Sequence, residues 1–256
     1  MNTLAKRTNT KLLIAVSLSL LTSASYADWG LRLGTDNHHK EYNTKKNRYD
    51  GLVGLQYRGN KFNASKSGLS YDFTNSEKQA AEVLLRIKHD GFKSSDDALF
   101  KGMSKRKASL DIGGRAIVNT GVLGNAVVEV TRDVNASKGF EAGVKLGGIS
   151  PHAPHWTGQR KLNVAAMGGL HYQSAKVADY YYGVKSSEAT ANRKAYKAKS
   201  AVEPYAGVEA QMNINKHFTI DGGLSVIKRA KSIRNSPLTN DKKYRVGANI
   251  GFSYWF

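Results

Sequence analysis

The last thirteen residues constrain this chain most. From Tyr244 to Phe256 the even positions read Tyr244, Val246, Ala248, Ile250, Phe252, Tyr254 and Phe256, and the odd ones read Arg245, Gly247, Asn249, Gly251, Ser253 and Trp255. Side chains of an extended strand point alternately to its two faces. One face is therefore apolar with aromatic ends, and the other is small and polar. An ordinary amphipathic strand of a soluble sandwich would look similar. Three features favour lipid: the aromatics that close the apolar face, the terminal Phe256, and an export signal at the other end of the chain.

That signal starts with Lys6, Arg7 and Lys11, continues through an apolar run from Leu12 to Leu21, and ends on Ser25-Tyr26-Ala27, small enough at −3 and −1 for a signal peptidase. Ten apolar residues cover about half of a bilayer core, which argues against a membrane anchor. The expectation is a cleaved signal peptide over 1–27 and a barrel over 28–256. Removal of the signal leaves 229 residues with a formal charge of +16, down from +19 for 256 residues. An exported chain does not meet nucleic acid, so the anions available to this charge are phosphorylated lipid headgroups, surface polysaccharide and acidic envelope proteins. The absence of cysteine excludes a disulfide framework, a thiolate metal site and a cysteine nucleophile. A mean hydropathy of −0.47, with no apolar run near 20 residues beyond the N-terminus, excludes a bundle of membrane helices.

The same alternation recurs upstream. Phe140, Ala142, Val144 and Leu146 alternate with Glu141, Gly143, Lys145 and Gly147; Leu162 to Tyr172 and Phe218 to Val226 behave alike. The second faces carry Gly, Ser, Asn and isolated charges, which a dry core would bury only at several kcal/mol each if unpaired. The fold predicted is an all-β transmembrane antiparallel barrel of about twelve strands, with ten and fourteen as the neighbouring even counts. Its strands are expected near 29–35, 48–58, 61–66, 68–74, 81–89, 107–119, 123–133, 138–148, 160–172, 201–213, 217–228 and 243–256. With both termini in the periplasm, the long connections 36–47, 90–106, 173–200 and 229–242 lie outside and the short turns inside. The connection 149–159 is long for the inner side.

No catalytic, cofactor-binding or metal-binding constellation stands out. His152 and His155 fall in Pro151-His152-Ala153-Pro154-His155-Trp156, which lacks a third ligand and reads as a solvated turn. His38 and His39 read as a polar surface loop. Basic residues cluster in the outer connections, with Lys228, Arg229, Lys231, Arg234, Lys242 and Lys243 against Asp241, and Lys185, Arg193, Lys194, Lys197 and Lys199 against Glu188. The phosphates of lipopolysaccharide and outer-membrane lipid are the partners such loops would meet, at about 1 kcal/mol per cation before screening; simple solubility is the alternative reading.

A chain that ends on an aromatic after alternating apolar residues resembles the recognition signal of outer-membrane barrels. The stretch Tyr180-Tyr181-Tyr182-Gly183-Val184, followed by Glu188-Ala189 and later by Ser236-Pro237, resembles the signature of the MipA/OmpV family, whose members include the MltA-interacting protein. Pro204-Tyr205, Asn215 to Asp221 and the final strand follow in the family's order, and weaker similarity covers nearly the whole exported chain. Asn47 to Asp50 and Thr190 to Asn192 depart from the family pattern. Tyr180 to Tyr182 admit a second reading as an interfacial aromatic girdle at a strand end.

The resemblance implies a non-enzymatic outer-membrane scaffold that joins a lytic transglycosylase to a penicillin-binding protein in murein synthesis and hydrolysis. The alternatives are a passive channel or an adhesin-like binding protein with basic loops. For the channel, the interior cations Arg115, Lys145 and Arg245 would favour anions.

Overall fold

The computed structural model describes residues 28–38, 42–44, 50–65, 68–74, 76, 78–150 and 157–256. The expected signal segment 1–27 therefore lies outside the described residues, as do His39 and the histidine pair of 151–156. Twelve strands follow in order: β1 (Asp28–His38), β2 (Asp50–Arg58), β3 (Phe62–Ser65), β4 (Gly68–Asp72), β5 (Gln79–Lys88), β6 (Ser109–Asn119), β7 (Asn125–Asp133), β8 (Phe140–Gly147), β9 (Lys161–Gln173), β10 (Ala201–Asn213), β11 (Phe218–Lys228) and β12 (Tyr244–Trp255). Each pairs antiparallel with its sequence neighbour, and β1 pairs with β12 from Gly30↔Trp255 to His38↔Gly247, which closes the barrel. Ten of the strands run 8 to 13 residues, about what a tilted strand needs to cross the hydrocarbon layer. Most strand ends fall within two residues of the expectation, because a change in the two-residue period marks where a strand leaves the sheet.

The facing of the strands also follows the alternation. Val246, Ile250 and Phe252 are each about half exposed on the outer surface, while Gly251, Ser253 and Trp255 are buried inside. Val83, Leu85, Val144, Leu146, Leu224 and Val226 continue the apolar belt around the wall. Tyr71, Phe73, Phe140, Phe218, Tyr244 and Tyr254 expose aromatic rings near its strand ends, where the amphipathic tyrosines suit the headgroup level. Among the described residues no helix is long and apolar enough to cross a membrane.

The wall is uneven in one place. β3 and β4 have only four and five residues, and among the described residues β2 meets β3 only through Tyr57↔Ala64 and Arg58↔Asn63. The start of β1 and the end of β12 lie at the same rim as this contact, tied by Phe256 N–H donating to the Trp29 carbonyl at 2.8 Å. The opposite rim carries the long connections, which include helix α1 (Ala175–Tyr182) and the one-turn helix α2 (Lys231–Arg234).

Candidate functional site

The long connections fold into a cap. In α1, Val177, Ala178, Tyr181 and Tyr182 are buried on one face, an i, i+1, i+4, i+5 pattern that a helix brings together. Ser174 enters the helix in an extended conformation, and Gly183 ends it with its N–H on the Asp179 carbonyl at 2.9 Å. A Cβ at Gly183 would fall 2.3 Å from that carbonyl oxygen and 2.5 Å from Asp179 Oδ1. Only glycine leaves the Asp179 carboxylate free to accept from Ala198 N–H at 2.8 Å. Beyond the helix, Val184 and Tyr196 exchange two backbone hydrogen bonds of 2.8 Å and return the chain toward β10.

Around α1 gather Tyr42 from the β1–β2 connection, Phe92, Phe100 and Met103 from β5–β6, and Ile233 and Leu238 from β11–β12, all buried in one cluster. Tyr42 is the meeting point. Its ring lies 5.3 Å from Phe92, 5.2 Å from Phe100 and 5.8 Å from Tyr182, and its hydroxyl donates to the carbonyls of Tyr181 and Asp90, each at 3.3 Å. The β1–β2, β5–β6 and β9–β10 connections are spaced four strands apart around the twelve-strand ring. Three segments rising from evenly spaced points on a rim can share one core only by crossing the mouth that the rim encloses.

One ion pair locks the cap. Arg106 donates to Glu188 through Nη1 at 3.0 Å and Nη2 at 2.8 Å, with both side chains under 5 % exposed. Glu188 also accepts from Ser104 N–H at 3.0 Å and Lys185 N–H at 3.2 Å. Burial by itself would raise its pKa, but the Arg106 guanidinium and the two backbone N–H groups outweigh it and hold the carboxyl at about 2. Arg106 Nε donates to the Tyr180 carbonyl at 2.7 Å, and Arg193 donates to the carbonyls of Leu99, Lys101 and Glu188. Burial pushes the Tyr181 phenol well above its ordinary range, and its hydroxyl donates to the Lys107 carbonyl at 3.2 Å.

The residues singled out in the sequence converge here. Tyr180, Tyr181, Tyr182, Gly183, Val184 and Glu188 form α1 and the turn after it, and Ser236 Oγ donates to the Tyr182 carbonyl at 2.6 Å. Pro237 is half-buried beside the buried Leu238, while Ala189 is exposed. The girdle reading of Tyr180 to Tyr182 is corrected: the three lie on a helix, and Tyr181 and Tyr182 point into the cap rather than toward lipid. Tyr42, Phe92, Phe100, Met103 and Arg106 were not singled out in the sequence. Scattered through three connections, they have no periodicity to betray them.

Below the cap the lumen is laced with charge pairs. Arg115 Nε donates to Glu82 at 2.5 Å, with a second carboxylate, Glu129, at 3.8 Å; Lys145 faces Glu209 at 3.8 Å. Arg86 pairs with Glu129 at 2.8 Å, Lys88 with Glu141, and Arg32 with Asp221, where Nη2 and Oδ2 are 2.6 Å apart. The Arg32 guanidinium occupies the space a side chain at position 251 would fill, since a Cβ on Gly251 would meet it at 2.2 Å. The expected anion-attracting set is corrected accordingly: Arg115 is matched by acids on both neighbouring strands, Lys145 by Glu209 two strands away, and Arg245 lines a cavity of about 420 Å³ together with Glu129 and Glu203. His171 lies 3.7 Å from Glu141, and among the described residues no group of three His, Cys, Asp or Glu side chains could hold a metal ion.

The family described as MltA-interacting protein MipA matches residues 31–256. The outer membrane protein OmpV of Vibrio cholerae is 28% identical over 232 residues, covering 88% of this chain and 86% of the relative. The outer membrane protein Omp26La of Vibrio anguillarum is 28% identical over 212 residues, covering 80% and 79%. Among solved structures, OmpT, an outer membrane protein of Vibrio cholerae, aligns over 90% of this chain and 97% of its own with a TM-score of 0.35 and 9% identity. With its closed twelve-strand wall and lipid-facing belt, the chain is an outer-membrane β-barrel that belongs to the MipA family.

Proposed function

We propose that this protein is a non-enzymatic interaction protein of the outer membrane, which holds murein-hydrolysing and murein-synthesising enzymes at its periplasmic rim after removal of residues 1–27. The observation that carries this reading is the cap. Loops packed across the outer mouth over a lumen of matched charges suit a rigid platform better than an open pore. The family's description as MltA-interacting supplies the class of partner. The inner rim offers an anchored docking element in the connection between β8 and β9, which begins with Ile149 N–H donating to Glu209 Oε2 at 2.8 Å inside the barrel.

The test is photo-crosslinking in cells from Thr157 and Gln159, exposed residues of that connection. Capture of a lytic transglycosylase or a penicillin-binding protein from these positions, and not from Val122 in the short β6–β7 turn, is the expected result. Absence of any murein enzyme among the products refutes the scaffold. The channel reading is decided by planar-bilayer recordings of the refolded chain, in which sustained conductance with the cap intact would establish a pore.

A further inference from the structure

The outer face of the cap carries a groove of about 800 Å³ between α1, the β5–β6 connection and the β7–β8 turn. Lys105, Lys138, Lys176, Lys185 and Lys197 line it, and all five are exposed. Lys138 Nζ donates to the Val134 carbonyl; among the described residues the other four ammonium groups have neither an ion pair nor a hydrogen bond. The one acidic side chain on the lining is Asp179, whose Oδ1 is already engaged by Ala198 N–H. Arg106, at the floor, is neutralised by Glu188. The groove is therefore left with several cationic groups of one sign within one concavity.

Its aromatic walls are fixed in place. The Tyr180 hydroxyl accepts from Lys107 N–H at 2.8 Å, with the Arg106 guanidinium 5.8 Å from its ring centre. The Tyr196 hydroxyl donates to the Ser232 carbonyl at 2.7 Å, and the backbone pair Val184–Tyr196 ties the floor together. Tyrosine rings held in position present flat faces of the kind on which sugar rings stack, and ammonium groups beside them attract phosphate. Lys138, on the lining, stands two residues before Phe140, whose ring is on the lipid-facing surface at the start of β8. This side of the groove therefore adjoins the rim, beside which the outer leaflet places its phosphorylated sugars.

We infer that this groove binds the phosphorylated core oligosaccharide of lipopolysaccharide, clamping the cap to the surrounding leaflet. It lies at the opposite rim from the proposed docking of murein enzymes and stands independently of it. The experiment uses the full chain refolded in detergent free of lipopolysaccharide, titrated with a rough-type lipopolysaccharide carrying core phosphates, its phosphatase-treated counterpart, and dextran sulfate. The groove variant is K138E/K176E/K197E; the control, with the same change in charge on other outer residues, is K231E/K242E/K243E.

Expected results are a loss of about tenfold or more in affinity for the groove variant and under about twofold for the control, with phosphatase treatment weakening binding to the unaltered protein but not further to the groove variant. Equal losses in both variants would reduce the groove to general surface charge and overturn the inference. Indifference to phosphatase treatment, or tighter binding of dextran sulfate than of lipopolysaccharide, would overturn it as well. Heat-modifiable gel mobility verifies folding, and K138Q/K176Q/K197Q gives the same reading should the glutamates impair assembly.

Discussion

Replacing Glu188 by alanine should unfasten the cap without dissolving the barrel. The carboxylate accepts four hydrogen bonds, two from Arg106 and one each from Ser104 N–H and Lys185 N–H. Its removal leaves a guanidinium only 4 % exposed without its counter-charge, and breaking one side of a buried pair costs about 3 to 5 kcal/mol. A second route to the magnitude is the carboxyl's own titration. A fall from the ordinary 4.5 to about 2 corresponds to about 2 to 3 kcal/mol once screening by water around the loops is allowed for. The two routes meet at about 3 kcal/mol, at which the cap opens about 150-fold more often. Because the folded pKa is depressed, this contribution is complete above about pH 5 and is lost as pH falls from about 4.5 toward 2. Hydrogen exchange of residues 175–200 in the refolded chain measures the opening directly, and heat-modifiable mobility reports the barrel separately. Unchanged exchange in Glu188→Ala would refute the assignment of this pair as the fastening of the cap. So would cap protection that weakens as pH rises from 5 to 7.

Ile250→Arg should impair barrel assembly far more than Asn249→Arg, because position 250 faces lipid and position 249 lines a lumen cavity of about 310 Å³; a lipid-facing arginine costs roughly 2 to 4 kcal/mol near the midplane, and equal heat-modifiable mobility of the two variants would contradict the facing. Gly183→Ala should raise hydrogen exchange of α1 and the Ala198 amide through the clash with Asp179, at about 1 to 3 kcal/mol, while leaving strand exchange as it was. Glu82→Ala should lower the urea midpoint of the barrel by an amount equivalent to about 3 kcal/mol, since Glu82 is fully enclosed and takes hydrogen bonds from Arg115 and Ser70. Glu82→Gln, which can still accept from Ser70, should fall between the two.

The wall was legible because its information is local and periodic. A two-residue alternation names both a strand and its facing, so β10 was placed at 201–213 to the residue and the lipid face of β12 was assigned correctly. The cap was not legible for the converse reason. Tyr42, Phe92, Tyr182 and Leu238 come from four connections and share only a spatial address. Helix α1 did leave a trace, since Ser174, the spacing of Val177, Ala178, Tyr181 and Tyr182, and Gly183 together read as a capped amphipathic turn. The lumen pairs were half visible: Arg115 and Lys145 stood out as cations, while Glu82, Glu129 and Glu209 could be matched to them only once strand register was known.

The short β3–β4 hairpin decides where this cylinder is weakest. A barrel is commonly imagined as a ribbon whose seam lies where its two ends meet, yet here the end strands β1 and β12 are zipped from Gly30↔Trp255 to His38↔Gly247. Among the described residues the slender join is internal, between Tyr57↔Ala64 and Arg58↔Asn63. Each ladder hydrogen bond in lipid has no water to replace it, so resistance to tearing scales with the length of the zip. Under load the wall should part between β2 and β3 while the terminal strands stay joined. In that mechanical sense the molecule is a cylinder of twelve staves, two of them short, and its natural hinge is set by a four-residue strand rather than by its terminal strands.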